Sequence, residues 1–287
     1  MTSILVTGRG GQVGGALADL ADDPRFGHVT ITATDRSTLD LGDPASITDA
    51  IDELSPDIVI NAAAFTAVDA TEADEATATA VNADGVRTLA EACAARSARL
   101  IQLSTDYVFD GSKDGWYVES DPVTPLGAYG RSKAAGEEAA RVCDDHLILR
   151  TAWVYAAAGQ NFVRTMLRVG AERNELRVVD DQVGCPTSAG DIAEALLRLA
   201  ELDLTGTYHL AGAEALSWHA FATAIFEEAG FPVTVLPIGT VEYPTPAPRP
   251  ANSRLDSTAL ADATGIQLPG WTTSLPDVVA AILDTDS

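Results

Sequence analysis

The sequence of 287 residues predicts an α/β fold in which a doubly wound parallel sheet is followed by a smaller C-terminal lobe. In the first half, short β-branched or apolar runs alternate with longer Ala-rich segments of helical period, which is the βαβ pattern of a parallel sheet. The second half changes character, because residues 237–250 are crowded with prolines and are predicted to form a loop.

Strands and helices alternate along the first half. The predicted strands cover residues 4–7, 29–34, 58–60, 100–103 and 147–149, and the helices between them include 44–54, 82–95 and 127–142. Asp43 is the expected N-cap of the helix that starts at Pro44.

The second half is predicted to return once to the sheet. A sixth strand at 176–179 is expected to join it, and helices are expected at 187–200 and 218–229. We therefore expect a core over residues 1–155 and mainly a lobe over 156–287, from which 176–200 returns to the core.

The charge of the chain excludes some classes of partner. Its 18 Lys and Arg stand against 42 Asp and Glu, a formal net charge of −24, while 46% apolar residues indicate a packed globular protein. Nucleic acids and anionic membranes need a basic footprint, so we expect neither as a partner. Only Lys113 and Lys133 are lysines. An acidic surface with little lysine suits a salt-rich cytosol, and we hypothesise a halophilic host; an ordinary acidic, arginine-rich cytosolic enzyme is the alternative.

Cysteine spacing and hydropathy predict a cytoplasmic location. Cys93, Cys143 and Cys185 are widely spaced and form no CxxC pair, so they are interpreted as buried thiols in a reducing compartment rather than a disulfide framework or zinc site. The chain starts without a basic segment ahead of an apolar run, and no stretch reaches the ~18 apolar residues of a membrane span.

A glycine-rich turn, GRGGQVG at residues 8–14, joins the first predicted strand to a helix. Gly8 permits a tight turn, Gly11 lets the backbone approach a pyrophosphate, and Gly14 lets the helix pack closely on the sheet. Asp35 ends the second strand 21 positions after Gly14, where a carboxylate can bind the adenosine ribose hydroxyls. The pattern predicts a Rossmann-like dinucleotide site, and the missing GK[ST] ending excludes a P-loop.

The glycine spacing resembles that of the short-chain dehydrogenase/reductase superfamily, which implies a nicotinamide cofactor. Asp35 favours NADH because a 2′-phosphate would meet its negative charge. Arg36, directly beside it, can instead pair with that phosphate and so favours NADPH. The sequence leaves this choice open.

A tyrosine and a lysine four residues apart, Tyr129 and Lys133, share one face of the predicted helix 127–142. A nearby ammonium stabilises a phenolate, so we expect Lys133 to lower the pKa of Tyr129 towards values where it exchanges a proton with a carbonyl or alcohol. A surface tyrosine and a solvated lysine are the alternative. Because the chain has only two lysines, the spacing favours the functional interpretation.

Hydroxyl side chains follow the fourth predicted strand, in the segment STDYVFDG at 104–111. At the carboxyl end of a parallel strand they face the crevice where α/β sheets bind ligands, within reach of a substrate oxygen and the Tyr129 phenol. A polar strand end that caps a loop is the alternative. With the glycine turn and the Tyr–Lys pair, this element predicts hydride transfer at a carbonyl or alcohol carbon.

On these residues the chain resembles the dTDP-4-dehydrorhamnose reductase family of extended short-chain dehydrogenases, over nearly its whole length. The stretches most specific to it are STDYVFDG, RTAWVY at 150–155 and RPANSRL at 249–255. The resemblance implies NAD(P)H-dependent reduction of the C4 ketone of dTDP-4-dehydro-L-rhamnose to dTDP-L-rhamnose. By this resemblance, Tyr129 is the proton donor, Lys133 binds the cofactor ribose, and Thr105 helps to orient the substrate carbonyl.

The resemblance also implies binding residues. Positions that match cofactor contacts are Gly11, Gln12, Val13, Asp35, Asp40, Leu41, Ala64, Phe65 and Thr66. Asp106 and Trp153 match substrate contacts. Arg249 in the proline-rich loop is the candidate for the substrate diphosphate, since a guanidinium binds that group bidentately; a solvated loop cation is the alternative.

One departure concerns metal. Bacterial reductases of this family carry a Glu after the glycine motif that, with other glutamates, holds Mg²⁺ at a dimer interface; Ala16 and Gly190 stand at the matching places here. We expect no metal, and monomer and homodimer both stay open.

Two other functions stay open. A nucleotide-sugar epimerase or dehydratase shares the first motifs, but a dehydratase is expected to carry Glu where this chain has Tyr107. A non-catalytic binding subunit, like the regulatory subunits of methionine adenosyltransferase, shares the fold. The presence of Tyr129, Lys133 and Thr105 together favours catalysis.

Overall fold

The computed structural model describes residues 1–285. Its strands, in chain order, are β1 (Thr2–Thr7), β2 (Val29–Thr34), β3 (Ile58–Asn61), β4 (Arg99–Thr105), β5 (His146–Thr151), β6 (Val154–Tyr155), β7 (Glu175–Val179), β8 (Val183–Gly184), β9 (Thr187–Ser188), β10 (Gly206–His209), β11 (Leu216–Ser217), β12 (Thr234–Ile238) and β13 (Asn252–Ser253). Its α-helices are α1 (Gln12–Asp19), α2 (Pro44–Leu54), α3 (Val68–Thr71), α4 (Glu75–Thr79), α5 (Gly85–Arg96), α6 (Ala128–Ala140), α7 (Phe162–Gly170), α8 (Ala189–Ala200), α9 (Trp218–Ala229), α10 (Thr258–Thr264) and α11 (Trp271–Thr285).

The central sheet has six parallel strands in the order β2-β1-β3-β4-β5-β10. After β2 the chain passes β1 and adds β3 on its other side, so the winding direction reverses between β1 and β3. In open α/β sheets the crevice at such a reversal, beside the carboxyl ends of the strands, is where ligands bind. The predicted α/β class with a doubly wound parallel sheet is confirmed.

Both faces of the sheet are covered by helices, because successive side chains of a strand point to opposite faces. Ile4 and Val6 of β1 pack in one core with Leu17 of α1 and Ile192 of α8. Leu5, between them, packs in a second core with residues of α2 and α5. The predicted runs at 4–7, 58–60, 100–103 and 147–149 are therefore buried on both sides, whereas β2 is an edge strand with Thr30 and Thr32 exposed.

The sixth strand of the sheet is not the predicted one. The segment 176–179 lies in β7, which pairs with β12 in a separate two-stranded sheet, and the place beside β5 is taken by β10. The prediction was wrong because it followed apolar content. β7 buries only Val178 and Val179, of which Val178 packs against α9, whereas β10 is a polar edge strand that the apolar pattern missed.

Three boundaries also differ from the predictions. The helix expected at 82–95 is a π-helical turn, Ala80–Asp84, that runs into α5. The helix expected at 187–200 starts after the short strand β9. The proline-rich segment begins as part of β12 and contains the 3₁₀ turn Thr240–Glu242, and only the rest is loop.

Helices of the second half form their own core. Tyr155, Val163 of α7, Phe221 of α9 and Val279 of α11 pack together, away from the sheet. Helix α8, by contrast, packs on the sheet. The division into a core at 1–155 and a lobe at 156–287 stays a prediction. Among residues 1–285, no helix has the length and apolar character to cross a membrane.

Candidate active site

A cavity of about 860 Å³ opens at the carboxyl ends of β1, β3 and β4, at the reversal of the sheet. Most residues singled out from the sequence line it: Gly8, Gly11, Gln12, Val13, Asp35, Arg36, Asp40, Leu41, Ala64, Phe65, Thr66, Thr105, Asp106, Tyr129, Lys133 and Trp153. Gly14 and Arg249 do not line it. The structure therefore brings the predicted cofactor-binding and catalytic residues together in one cavity.

The glycine turn has the shape that a dinucleotide needs. Gly8 has a φ of +79°, and a Cβ there would lie 2.8 Å from the Ala63 backbone. A Cβ on Gly14 would lie 2.1 Å from the Gly8 carbonyl oxygen, so only glycine lets α1 sit this close to the turn. Gly11 is the N-cap of α1, and no side chain caps the first-turn amides. Such amides suit a pyrophosphate.

Charged side chains of both signs lie at the end of β2. The Asp35 carboxylate accepts hydrogen bonds from the backbone amide and hydroxyl of Ser37, at 2.9 and 2.5 Å, and these lower its pKa. Arg36 reaches Asp40, with Nε 3.1 Å from Oδ2. An ionised carboxylate and a largely exposed guanidinium thus face the same end of the cavity.

The loop after β3, which carries Ala64, Phe65 and Thr66, is tied to the helix of the Tyr–Lys pair. Asn82 binds Phe65 reciprocally: its Oδ1 accepts from the Phe65 amide at 2.8 Å, and its Nδ2 donates to the Phe65 carbonyl at 3.0 Å. Nδ2 also donates to the hydroxyl of Ser132 at 3.0 Å. The sequence pattern predicts only a helix at Asn82, because nothing local signals this bridge.

Thr105 and Tyr129 meet inside the cavity. Thr105 ends β4, Tyr129 lies in the first turn of α6, and the Thr105 hydroxyl is near enough to the Tyr129 phenol to lower its pKa. Thr105 Oγ1 also donates to Asp106 Oδ1 at 2.9 Å. Both side chains are at least nine-tenths buried, which restricts water at this point.

The pKa of Tyr129 does not follow the sequence-based prediction. Burial raises it well above its usual value and the charge of Asp106 raises it further, while the hydrogen bond to Thr105 acts in the opposite direction. The predicted lowering by Lys133 is wrong, because sequence spacing shows the neighbouring charge but not the desolvation. The phenol is therefore protonated at neutral pH.

Lys133 lies in the wall of the cavity. Its Nζ donates to the Leu103 carbonyl at 2.8 Å, and burial lowers its pKa to about 8 against the opposing effect of Glu137. Glu137, one helical turn further on, forms an ion pair with Arg150 of β5 and accepts from the Ser104 hydroxyl at 2.6 Å. The α6 helix is thus fixed to β4 and β5 through its buried side chains.

Asp106 and Trp153, the predicted substrate contacts, are joined through Ser253 of the RPANSRL segment. Trp153 Nε1 donates to Ser253 Oγ at 3.2 Å. Burial raises the pKa of Asp106 to about 6, although hydrogen bonds with Ser253 and Thr105 lower it, and Oδ2 has no hydrogen-bond partner among the described residues. A buried carboxylate oxygen without a partner marks a point where a ligand hydroxyl can bind.

Arg249 lies beside the cavity rather than in its wall. Its Nη2 is 2.9 Å from Asp69 Oδ1, and its guanidinium lies 6.0 Å from the ring centre of Tyr107, which does line the cavity. Its role towards a diphosphate stays a prediction.

Trp218 also lines the cavity and was missed from the sequence. The pattern indicated only a helix at 218–229, and the first residue of that helix reaches the cavity through tertiary packing alone.

Two further predictions concern metal and cysteine. Within residues 1–285, no group of three or more His, Cys, Asp or Glu side chains is arranged to hold a metal ion. Cys93, Cys143 and Cys185 are free and buried, as predicted.

Comparison with known proteins agrees with this site. The family described as RmlD substrate binding domain matches residues 1–283. A dTDP-4-dehydrorhamnose reductase of Sinorhizobium fredii is 45% identical, over 98% of this chain and 97% of its own. The crystal structure of a Clostridium acetobutylicum dTDP-4-dehydrorhamnose reductase superposes with a TM-score of 0.94 at 37% identity, covering 98% of this chain and 100% of that one. The Bacillus anthracis dTDP-4-dehydrorhamnose reductase, solved in complex with NADP, gives 0.93 at 35% identity, over 98% and 99%. The chain belongs to the dTDP-4-dehydrorhamnose reductase family.

Proposed function

We propose that this protein reduces the C4 ketone of dTDP-4-dehydro-L-rhamnose to dTDP-L-rhamnose with NADPH or NADH. The observation that carries the proposal is the meeting of Thr105, Tyr129 and Lys133 in the same cavity as the glycine turn. Membership of the reductase family supports the substrate, and the NADP bound to the Bacillus anthracis relative supports the phosphorylated cofactor.

Each side chain at the reacting end of the cavity has a separate role in the reduction. A bound nicotinamide supplies the hydride to C4. Tyr129 gives the proton to the C4 oxygen, and the raised pKa keeps its phenol protonated until then. Thr105 orients the carbonyl by turning its single O–H from Asp106 Oδ1 to the same oxygen. Lys133 uses one N–H on Leu103 and has two further N–H donors for the ribose hydroxyls of the cofactor.

The remaining residues bind the two ligands. Gly11, with the α1 amides, takes the pyrophosphate of the cofactor, and Asp35 or Arg36 takes its adenosine ribose or 2′-phosphate. Asp106 and Trp153 hold the sugar nucleotide. Arg249 binds the diphosphate of the sugar nucleotide. To do so, the Arg249 guanidinium leaves Asp69 and donates to the phosphate oxygens instead.

The proposal includes the setting of the enzyme. It works in the cytoplasm without a metal, as a monomer or homodimer, with residues 1–155 binding the dinucleotide and 156–287 mainly the substrate. The excess of carboxylates and the near absence of lysine support a salt-rich cytosol.

The test is turnover of purified protein with dTDP-4-dehydro-L-rhamnose, followed by nicotinamide absorbance in low and high salt, beside Tyr129→Phe. We expect oxidation of NADPH or NADH by the wild type, and a loss of at least 100-fold in the variant, about the contribution of a positioned proton donor. No oxidation in either salt, or undiminished turnover in Tyr129→Phe, would contradict the proposal.

A further inference from the structure

Two tryptophans from distant parts of the chain stack face to face in the wall of the cavity. Trp153 follows β5, and Trp218 is the first residue of α9. Their ring centres are 3.4 Å apart and the ring planes differ by 3°. The stack therefore joins the sheet to the helices of the second half at the substrate side of the cavity.

The backbone of Trp153 is held in an unfavourable conformation. Its φ is +48°, in the left-handed region that a large side chain rarely adopts. Such a conformation persists only where the surrounding contacts determine it, and it occurs most often at ligand sites.

Three contacts fix the Trp153 indole. Trp218 covers one face, and Ser253 accepts its N–H. Gly184 packs against the same ring, where a Cβ would come within 2.3 Å of Cε2. The absence of a side chain at Gly184 thus leaves the space that the Trp153 indole occupies.

The position of the indole is linked to Asp106 through Ser253. Ser253 accepts from Trp153 Nε1 at 3.2 Å, and the same hydroxyl acts on the Asp106 carboxyl and lowers its pKa. A shift of the indole would be transmitted through Ser253 to Asp106, which lines the cavity and whose Oδ2 has no hydrogen-bond partner among the described residues.

Trp218 is itself rigidly placed. Phe162 of α7 packs against its ring, with centres 4.5 Å apart. Ser217, just before it, caps α9 by accepting from the Ala220 amide at 3.1 Å. Trp218 can therefore act as a fixed support for the indole.

We propose that Trp218 is a positioning residue for the sugar nucleotide: by supporting the Trp153 indole it sets the affinity of the cavity for the substrate and leaves the cofactor site unchanged. The inference rests on the proposed function.

The test is the kinetics of Trp218→Leu, with Trp218→Phe as the conservative variant. Removing the stacked ring should raise the KM for dTDP-4-dehydro-L-rhamnose about 3- to 10-fold, the range that an aromatic pair contributes. The KM for NADPH and kcat should stay within about twofold of wild type, and Trp218→Phe should restore most of the affinity. If Trp218→Leu does not fold, Trp218→Met fills the space without a ring and carries the same expectation.

Trp271→Leu is the matched control. Trp271 packs on Phe221, with centres 6.0 Å apart, in the same group of helices but outside the cavity wall. Its removal should leave the KM for the sugar nucleotide unchanged. An unchanged sugar-nucleotide KM in Trp218→Leu, or an equal rise for both substrates, overturns the inference.

Calorimetric binding of dTDP-L-rhamnose separates this inference from the proposed function. A wild type that neither turns over the ketosugar nor binds the product contradicts the proposed function. A wild type that does both, beside a Trp218→Leu variant that binds the product equally tightly, contradicts the role of Trp218 alone.

Discussion

The guanidinium of Arg150 binds both carboxylate oxygens of Glu137 in the interior, with Nε 2.8 Å from Oε1 and Nη2 2.7 Å from Oε2. The two side chains are 3% and 2% exposed. Because Glu137 lies one turn after Lys133 on α6 and Arg150 lies on β5, the pair fixes the helix that carries Tyr129 and Lys133 against the sheet.

Glu137→Gln should destabilise the protein strongly, because it leaves the Arg150 guanidinium buried without a counter-charge. Loss of one partner of a buried pair costs about 3–5 kcal/mol in free energy of unfolding, measured by denaturant titration. Glu138→Gln is the control, since Glu138 pairs with Arg141 while 75% exposed and should cost less than about 1 kcal/mol. Equal effects of the two variants would contradict the structural role of the pair.

Cofactor binding should weaken as the pH rises through about 8. Burial lowers the pKa of Lys133 to about 8, so below this pH the side chain is an ammonium that can donate to the ribose, and above it the charge is lost. The measurement is the Kd of NADPH between pH 6 and 10, beside Lys133→Met. The variant should bind more weakly and without this pH dependence; the same alkaline weakening in the variant would assign the titration to another group.

Gly14→Ala should lower both stability and cofactor affinity. Its Cβ would lie 2.1 Å from the backbone oxygen of Gly8, so α1 must move away from the turn, at a cost of about 1–3 kcal/mol. Gly15→Ala is the matched control in the same helix, because its Cβ would be 3.4 Å from the nearest atom, the Arg9 oxygen. Thermal unfolding and NADPH titration of both variants check this, and a Gly14→Ala protein that binds like wild type would be the contrary result.

Salt should stabilise the protein if its acidity is an adaptation to a salt-rich cytosol. Screening weakens the mutual repulsion behind a net charge of −24, so the thermal midpoint should rise between dilute buffer and molar KCl. Sucrose at matched osmolality separates screening from general solute exclusion. Full stability in dilute buffer would count against the halophilic interpretation.

The sequence predicted those parts of the fold that depend on local patterns. The strands β1, β3, β4 and β5 are largely apolar runs buried on both faces, β2 is a β-branched edge strand, and the glycine turn and α6 carry their signals within a few residues. The place of β10 could not be predicted, because Thr207, Tyr208 and His209 form a polar edge strand, while the more apolar β7 pairs elsewhere.

The site residues likewise fall into those with a local sequence signal and those that depend on tertiary contacts. Residues next to strand ends, such as Thr105 and Asp35, were found because parallel strands place their carboxyl ends together. Asn82 and Trp218 act through partners 17 and 65 positions away in the sequence, so no local pattern marks them. Ser253 lies in the RPANSRL segment, but its partner Trp153 is 100 positions away, so its contact could not be predicted. The direction of the Tyr129 pKa depends on burial, which spacing does not show.

The central claim is hydride transfer to C4 of the sugar, and the most direct measurement of it follows the hydrogen itself. The protein is incubated with dTDP-4-dehydro-L-rhamnose and NADPH that carries deuterium at both C4 positions of the nicotinamide, and the product is analysed by NMR and mass spectrometry. We predict dTDP-L-rhamnose with one deuterium, at C4 of the sugar. A product without deuterium at C4, or no product while the cofactor remains reduced, would contradict the account.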